Sequence, residues 1–273
     1  MSDHSASVHR FELNGQPAWL KRYGRHGRTL RLAALSLVVR RLDVLSLQPP
    51  PRHLGDDARA TEQRRIGELR ELQVRVPSVL GHGNGFLVLS DLGETLSVRL
   101  RRSEPREAER LFSEVAQAIV RVHADGGYLG QPLARNIAVS PDGEIGFLDF
   151  EEDPGEVMTL QQAQVRDWLI FVAGAARHLP CDEVRMGELI GRVLREAQPE
   201  VRSMLAASTA RLDFLRSLCR WFGRRAGGLG KAVHGLQRAL WTASLLLVML
   251  GIGLDYAHDA ELHLIDAIAD WID

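Results

Sequence analysis

The stretch Gly127–Asp153, GYLGQPLARNIAVSPDGEIGFLDFEED, carries the reading of the whole chain. A loop closes at Asn136, a strand follows, Ser140-Pro141-Asp142-Gly143 makes a tight turn, and a second strand, EIGFLDF, ends at Asp149. The neighbours of Asp149 are Phe147, Leu148 and Phe150, so a carboxylate stands at the mouth of an apolar strand that fixes its direction. Such a group suits a hard divalent cation, and Asn136 offers the same ion a neutral oxygen. A purely structural reading competes with this one, in which Asn136 caps a turn and Asp149 pairs with an arginine.

Working outward, RRSEPREAERLFSEVAQAIVRVHADG places Leu111, Val115, Ala118, Ile119 and Val122 on one helical face. Pro105 suits its first turn, and Gly126-Gly127 ends it. Farther upstream, FELNGQPAWLKRY (residues 11–23) alternates about Asn14-Gly15, a favoured two-residue turn, and predicts a hairpin whose second arm carries Lys21. The basic and apolar stretch after it, residues 22–45, has helical spacing, and the Pro-rich run 49–57 breaks it. ARATEQRRIGELREL (58–72) sets Ile66, Leu69 and Leu72 on a helix face with Glu62 one turn earlier. VRVPSVLGHGNGFLVLSDLG then predicts two strands about a Gly-rich turn, and residues 160 to about 222 predict two or three helices.

Composition bounds the rest. At 273 residues, 45% hydrophobic and 25% charged, the chain can bury a sizeable core and is not a disordered one. A formal net charge of -1 gives no sign of nucleic-acid binding. Lys21 and Lys231 are the only lysines in an arginine-rich chain, so a lysine on a strand is more informative than usual. Cys181 and Cys219 are far apart and form no Cys-x-x-Cys pair, and no apolar run opens the chain, which together predict a cytoplasmic location. The uncharged run ALWTASLLLVMLGIGL (239–254) would reach about 24 Å as a helix, against a hydrocarbon core of roughly 30 Å. It reads either as a core helix or as a segment associated with the inner membrane, with its basic flank cytoplasmic.

Taken in order, Lys21 on a strand, Glu62 on a helix, FLVLSDLG, VHADG, the loop closing in Arg135-Asn136 and the strand closing in Asp149-Phe150-Glu151 resemble the protein-kinase-like fold. The likeness is nearest to the bacterial lipopolysaccharide and Kdo kinase group, related to aminoglycoside phosphotransferase-like kinases, and spans about residues 11–175. It implies an α+β, bilobal fold: a reduced N-terminal lobe (1–92), a mainly helical C-terminal lobe (93–222) and a C-terminal helical region (223–273). The cofactors implied are ATP and Mg2+. Lys21 would contact the nucleotide phosphates, Glu62 would orient it, and Ser90, Asp91 and Leu92 would line the adenine pocket through backbone groups. Asn136 and Asp149 would bind magnesium, and the Arg166-Asp167 pair would support the loop.

Two departures stand out. Where the family has His-Gly-Asp, this chain has Leu129-Gly130-Gln131, and glutamine hydrogen-bonds a hydroxyl without accepting its proton. Among nearby residues, His123, Asp125 and Glu151 are candidates to replace the base. Secondly, only twenty residues precede Lys21, and they hold no Gly-x-Gly-x-x-Gly loop to cover phosphates. Two functions follow: a phosphotransferase acting on a hydroxyl of a sugar-lipid or a protein, or an impaired pseudokinase that serves as a nucleotide- or partner-binding scaffold at the membrane. A hydrolase lacks its Gly-x-Ser-x-Gly elbow, and the scattered histidines, His258 and His263 included, make no metal cluster. The basic stretch 22–31 reads either as a solvated helix or as a surface for an anionic head group.

Overall fold

The first two strands are joined by Asn14 and Gly15, at φ 52° and 75°. Positive φ at both central residues is what a hairpin turn matching the twist of its strands demands, and Asn and Gly are the residues that tolerate it. In the computed structural model, which describes residues 7–24, 46 and 48–210, β1 (Ser7–Leu13) and β2 (Gln16–Arg22) pair in antiparallel register from Ser7 with Arg22 to Leu13 with Gln16. With β3 (Val79–Gly83) and β4 (Phe86–Ser90) they form a four-stranded antiparallel sheet in the order β1-β2-β4-β3.

Helix α1 (Asp56–Glu71) comes between β2 and β3 in sequence and packs on the sheet. Its buried residues, Ala58, Thr61, Glu62, Arg65, Ile66 and Leu69, recur at helical spacing on one face. Ile66 and Leu69 are apolar anchors in the same core as Leu87 and Leu89 of β4. Glu62 and Arg65 are charged, so that face also carries polar groups into the protein, and burial requires each to have a partner.

Ser90–Gly93 leads from this sheet to a second, three-stranded one made of β5 (Glu94–Thr95), β6 (Ile137–Val139) and β7 (Ile145–Phe147) in the order β5-β6-β7. The turn between β6 and β7 is closed by Gly143 N–H to the Ser140 carbonyl at 3.0 Å and by Glu144 N–H to Ser140 Oγ at 3.0 Å. The strand before Asp149 is shorter than expected. It stops at Phe147, and Asp149 lies two residues beyond it at φ 68°, a left-handed conformation that Asp tolerates better than most side chains.

The remainder is helical, and the chain is α+β. Helix α2 (Leu96–Arg102) is not foreshadowed in the sequence, because Leu96 and Leu100 are a single i,i+4 apolar pair. Helix α3 (Pro105–Ala124) starts on its proline and buries Leu111, Val115, Ala118, Ile119 and Val122 together with Phe112. It ends in a Schellman arrangement: Gly126 at φ 77°, its N–H on the His123 carbonyl at 3.1 Å, and Gly127 N–H on the Val122 carbonyl at 2.8 Å. Helix α4 (Leu160–Ala176) opens with a Thr159/Gln162 capping box and is buried on nearly every side. Trp168 and Phe171 are fully enclosed there, and Phe171 stacks on Phe112 at 4.9 Å. Helices α5 (Glu183–Leu194) and α6 (Pro199–Ala210) complete the described chain.

One apolar core runs from β4 and α1 through α3 and α4 to α6. Among the described residues no helix is long and apolar enough to cross a membrane. The apolar run 239–254, the region 223–273 that contains it and nearly all of the basic and apolar stretch 22–45 lie outside the described residues.

Candidate functional site

Period-two geometry puts Lys21 and Tyr23 on one side of the β2 strand line, facing α1. The Lys21 ammonium lies 2.7 Å from Glu62, 2.5 Å from Asp149 and 3.3 Å from Glu151. Tyr23 donates its hydroxyl to the same Glu62 oxygen, Oε2, at 2.6 Å, and its ring lies 5.3 Å from the ammonium. Glu62 is 1% exposed, and a carboxylate so buried is tolerated only because the ammonium and the phenol satisfy it.

Burial works against the charged form of Lys21, but Asp149, Glu62 and Glu151 outweigh it and hold the ammonium well above its ordinary value. Burial likewise opposes ionisation of Asp149, and the Lys21 charge reverses that, keeping its carboxyl below the usual range. Glu151 goes the other way: burial first, then the charges of Asp149 and Glu62, push it up to about 7 against the pull of Lys21. The oxygens of Glu62, Asp149 and Glu151 all lie within 4.8 Å of one another. The positive charge that faces them comes from Lys21 and, on Asp149, from Arg135 as well.

The loop before β6 is tied down from two directions. Gln131 offers its carbonyl to Leu133 N–H at 2.8 Å and to Asn136 Nδ2 at 3.1 Å, and Asn136 Nδ2 also reaches Asp149 Oδ2 at 3.3 Å. Asn136 N–H bonds the Leu133 carbonyl and its own carbonyl accepts from Leu148 N–H, which ties the loop to the segment that leads into Asp149. From behind, Asp167 of α4 accepts from Leu129 N–H at 2.6 Å, Gly130 N–H at 2.7 Å and His123 Nε2 at 3.0 Å. Arg166 donates to the Gly130 carbonyl at 3.2 Å. The Arg166-Asp167 pair thus holds the loop by its backbone.

The side chain of Gln131 donates to Glu152, in a short contact. Beyond it, Asp153 accepts from Tyr128 at 2.5 Å and from Arg64 at 2.7 Å, while Arg65 lies over the Tyr128 ring at 4.0 Å and bonds its carbonyl at 2.6 Å. These contacts fasten α1, and with it Glu62, to both loops that flank Asp149.

The structure therefore gathers Lys21, Glu62, Asn136 and Asp149 at one place, with Gln131 adjoining. Of the three residues considered as a replacement base, Glu151 lies at the cluster. His123 does not: it is buried behind the loop against Asp167, and Asp125 is exposed at the C-cap of α3. In the segment Ser90–Leu92, Ser90 N–H bonds the Ser78 carbonyl, Asp91 N–H bonds the Pro17 carbonyl, and the Leu92 carbonyl accepts from Arg75 at 3.2 Å. Tyr23 and Glu152 were missed in the sequence. Tyr23 was findable, being two residues from Lys21 on the same side of an extended strand; the return of Glu152 to Gln131 leaves no periodic signal. Neither a family model nor a curated protein matches the chain.

Proposed function

We propose that the chain is a kinase-like phosphotransferase that binds ATP with magnesium and transfers the γ-phosphoryl group to a hydroxyl of a sugar-lipid or a protein at the inner face of a membrane. The observation that carries this reading is the Lys21 ammonium held between Glu62 and Asp149, with Asn136 on the second oxygen of Asp149. A lysine fixed by a glutamate is a cation aimed for phosphate, and phosphoryl transfer depends mostly on such positioned charge. The donor set also fits magnesium. Asp149 and Asn136 supply hard oxygens. Asp149 and Asn136 would hold the ion, which would supply positive charge to offset that of the phosphates.

Ser90–Leu92 lies in the connection between the two sheets, which supports reading it as the adenine-binding segment. Backbone groups of Ser90, Asp91 and Leu92 would meet an adenine edge there. Reading residues 7–92 and 93–210 as two lobes about this connection accords with the separate sheets.

A scaffold without turnover is favoured by one observation, the amide at Gln131. The two readings separate in one experiment. A thermal shift with ATP and magnesium, followed by release of ADP, is measured for wild type and Asp149→Ala. Stabilisation of wild type that Asp149→Ala loses, with ADP released, is the expected result. Saturation near a hundred times Kd stabilises by about 2.7 kcal/mol, which is easily resolved. Stabilisation without ADP release supports the scaffold, and no stabilisation of wild type ends both.

A further inference from the structure

An ammonium has three N–H groups to give. Around that of Lys21 stand three carboxylates: Glu62 Oε2 at 2.7 Å, Asp149 Oδ1 at 2.5 Å and Glu151 Oε2 at 3.3 Å. The Lys21 side chain is 13% exposed, so these carboxylates and the Tyr23 ring, not water, are its main surroundings. Asp149 is engaged at both oxygens, Oδ1 by Lys21 and Oδ2 by Asn136 Nδ2 at 3.3 Å. Asn136 meets it as a donor, and the Gln131 carbonyl, 3.1 Å from the same nitrogen, holds the amide that way round. A divalent cation would require the amide oxygen instead, and would meet an ammonium already seated on Asp149. The oxygens of Glu62, Asp149 and Glu151, all within 4.8 Å of one another, have the spacing of cation ligands, and the cation they share is Lys21.

We infer that the Lys21–Asp149 ion pair is an autoinhibitory latch: Lys21 holds the place of the divalent cation on Asp149 and yields it only when a phosphate takes the ammonium, so that metal and nucleotide bind together and not singly. This is a regulation of the nucleotide site proposed above and rests on that reading. A divalent ion arriving alone at Asp149 faces a positive charge 2.5 Å from its ligand, and like charges that close repel strongly in a partly buried site that salt and water screen poorly. A nucleotide arriving alone draws Lys21 away and leaves the Asp149 carboxylate beside the phosphates without its nearest counter-charge. When both arrive, Lys21 pairs with phosphate and Asp149 with the ion. Glu62, buried and 2.7 Å from Lys21, is the fixed partner on which the ammonium makes that exchange.

The test follows paramagnetic Mn2+ on the full chain through the loss of its free-ion signal, since Mn2+ takes the same oxygen ligands as Mg2+. Wild type is expected to bind Mn2+ weakly alone and about 5- to 150-fold more tightly with the non-hydrolysable ATP analogue AMP-PNP, once Mn2+ held by free nucleotide is subtracted. Lys21→Met, which leaves Asp149 without the ammonium, is expected to bind Mn2+ alone more tightly than wild type by a factor of about the same range. Adding Glu62→Gln removes the stranded charge and keeps the comparison open in a folded chain, and adding Asp149→Ala should abolish the gain. An Mn2+ affinity of Lys21→Met with Glu62→Gln within twofold of wild type overturns the inference. So does a gain that survives Asp149→Ala, or a wild type that AMP-PNP stabilises without any change in its Mn2+ affinity. A wild type with no thermal shift from AMP-PNP and Mn2+ is a different failure, because it removes the nucleotide reading on which the inference stands.

Discussion

Asp167 of α4 accepts the backbone N–H of Gly130 at 2.7 Å from 37 residues along the chain, and it is fully buried where it does so. The loop bearing Gln131 and Asn136 is thereby hung on the most enclosed helix of the protein. Asp167→Ala leaves the N–H groups of Leu129 and Gly130 without their acceptor, and each buried orphan costs about 1–3 kcal/mol. A loss of about 3–5 kcal/mol is expected, read as a lower urea midpoint, with faster amide exchange at Leu129 and Gly130. An unchanged midpoint with unprotected amides in the wild type would show that the loop is not held from α4.

Lys21→Met tests the ion cluster as a structural element. With the ammonium gone, Glu62 keeps only Tyr23 as a described partner while being itself buried. Removing one member of a buried pair costs about 3–5 kcal/mol, and at roughly 2–4 °C per kcal/mol for a chain of this size Tm should fall by about 10 °C. Adding Glu62→Gln, which removes the stranded charge, should recover about half of that. A single variant within 2 °C of wild type would mean that Lys21 contributes nothing to holding Glu62.

The parts of this arrangement that were legible in the sequence are those fixed by local rules. Asn14-Gly15 announced its hairpin, Pro105 and Gly126 bracketed α3, and apolar spacing found the buried faces of α1 and α3. The spacing from Asn136 to Asp149 survived as a hydrogen bond because a tight turn between two short strands leaves no other register. What was illegible depends on side chains returning over long separations. Asp149 was expected within a strand and lies past it at φ 68°, since backbone hydrogen bonding, not apolar content, ends β7. His123 and Asp125 were considered near the site because they are near in sequence, but the Schellman end of α3 turns the chain away before the loop begins. The contact of Glu152 with Gln131 crosses 21 residues and has no periodic signature.

Glu151 gives the protein a pH dependence of definite sign. Unfolded, it holds its proton only below about its ordinary value of 4.5; folded, burial and the charges of Asp149 and Glu62 carry that to about 7. Between these values the folded state binds the additional proton, so stability falls as pH rises through the window and levels off above it. Asp149 acts oppositely and lower: its carboxyl is depressed, and its contribution is lost only as pH falls below the usual carboxylate range. The Glu151 side chain is 42% exposed, so solvent screens the effect and only its direction is predicted. Measured without nucleotide, the Tm of wild type should decline relative to Glu151→Gln between about pH 5 and 7. A difference that is flat across that range would place the titration elsewhere.

Two glycines should respond to the same substitution with opposite signs. Gly93, between the sheets, has φ 116°, and a Cβ there would lie 2.6 Å from the Val139 carbonyl oxygen and 2.9 Å from Ser140 Cα. Both are backbone atoms of β6 and its turn, so they cannot step aside as a side chain would, and the close approach is what lets β5 pair with β6. Gly93→Ala therefore adds conformational strain of about 1–3 kcal/mol to a backbone clash, and a loss of at least about 2 kcal/mol is expected. Gly67 lies within α1 on its exposed side, and a Cβ there meets nothing within 4 Å. Gly67→Ala removes only backbone freedom from the unfolded chain and should stabilise by about 0.5–1 kcal/mol. Denaturant unfolding of the two variants in parallel checks both, and a neutral Gly93→Ala would mean that β5 and β6 can separate without cost to the fold.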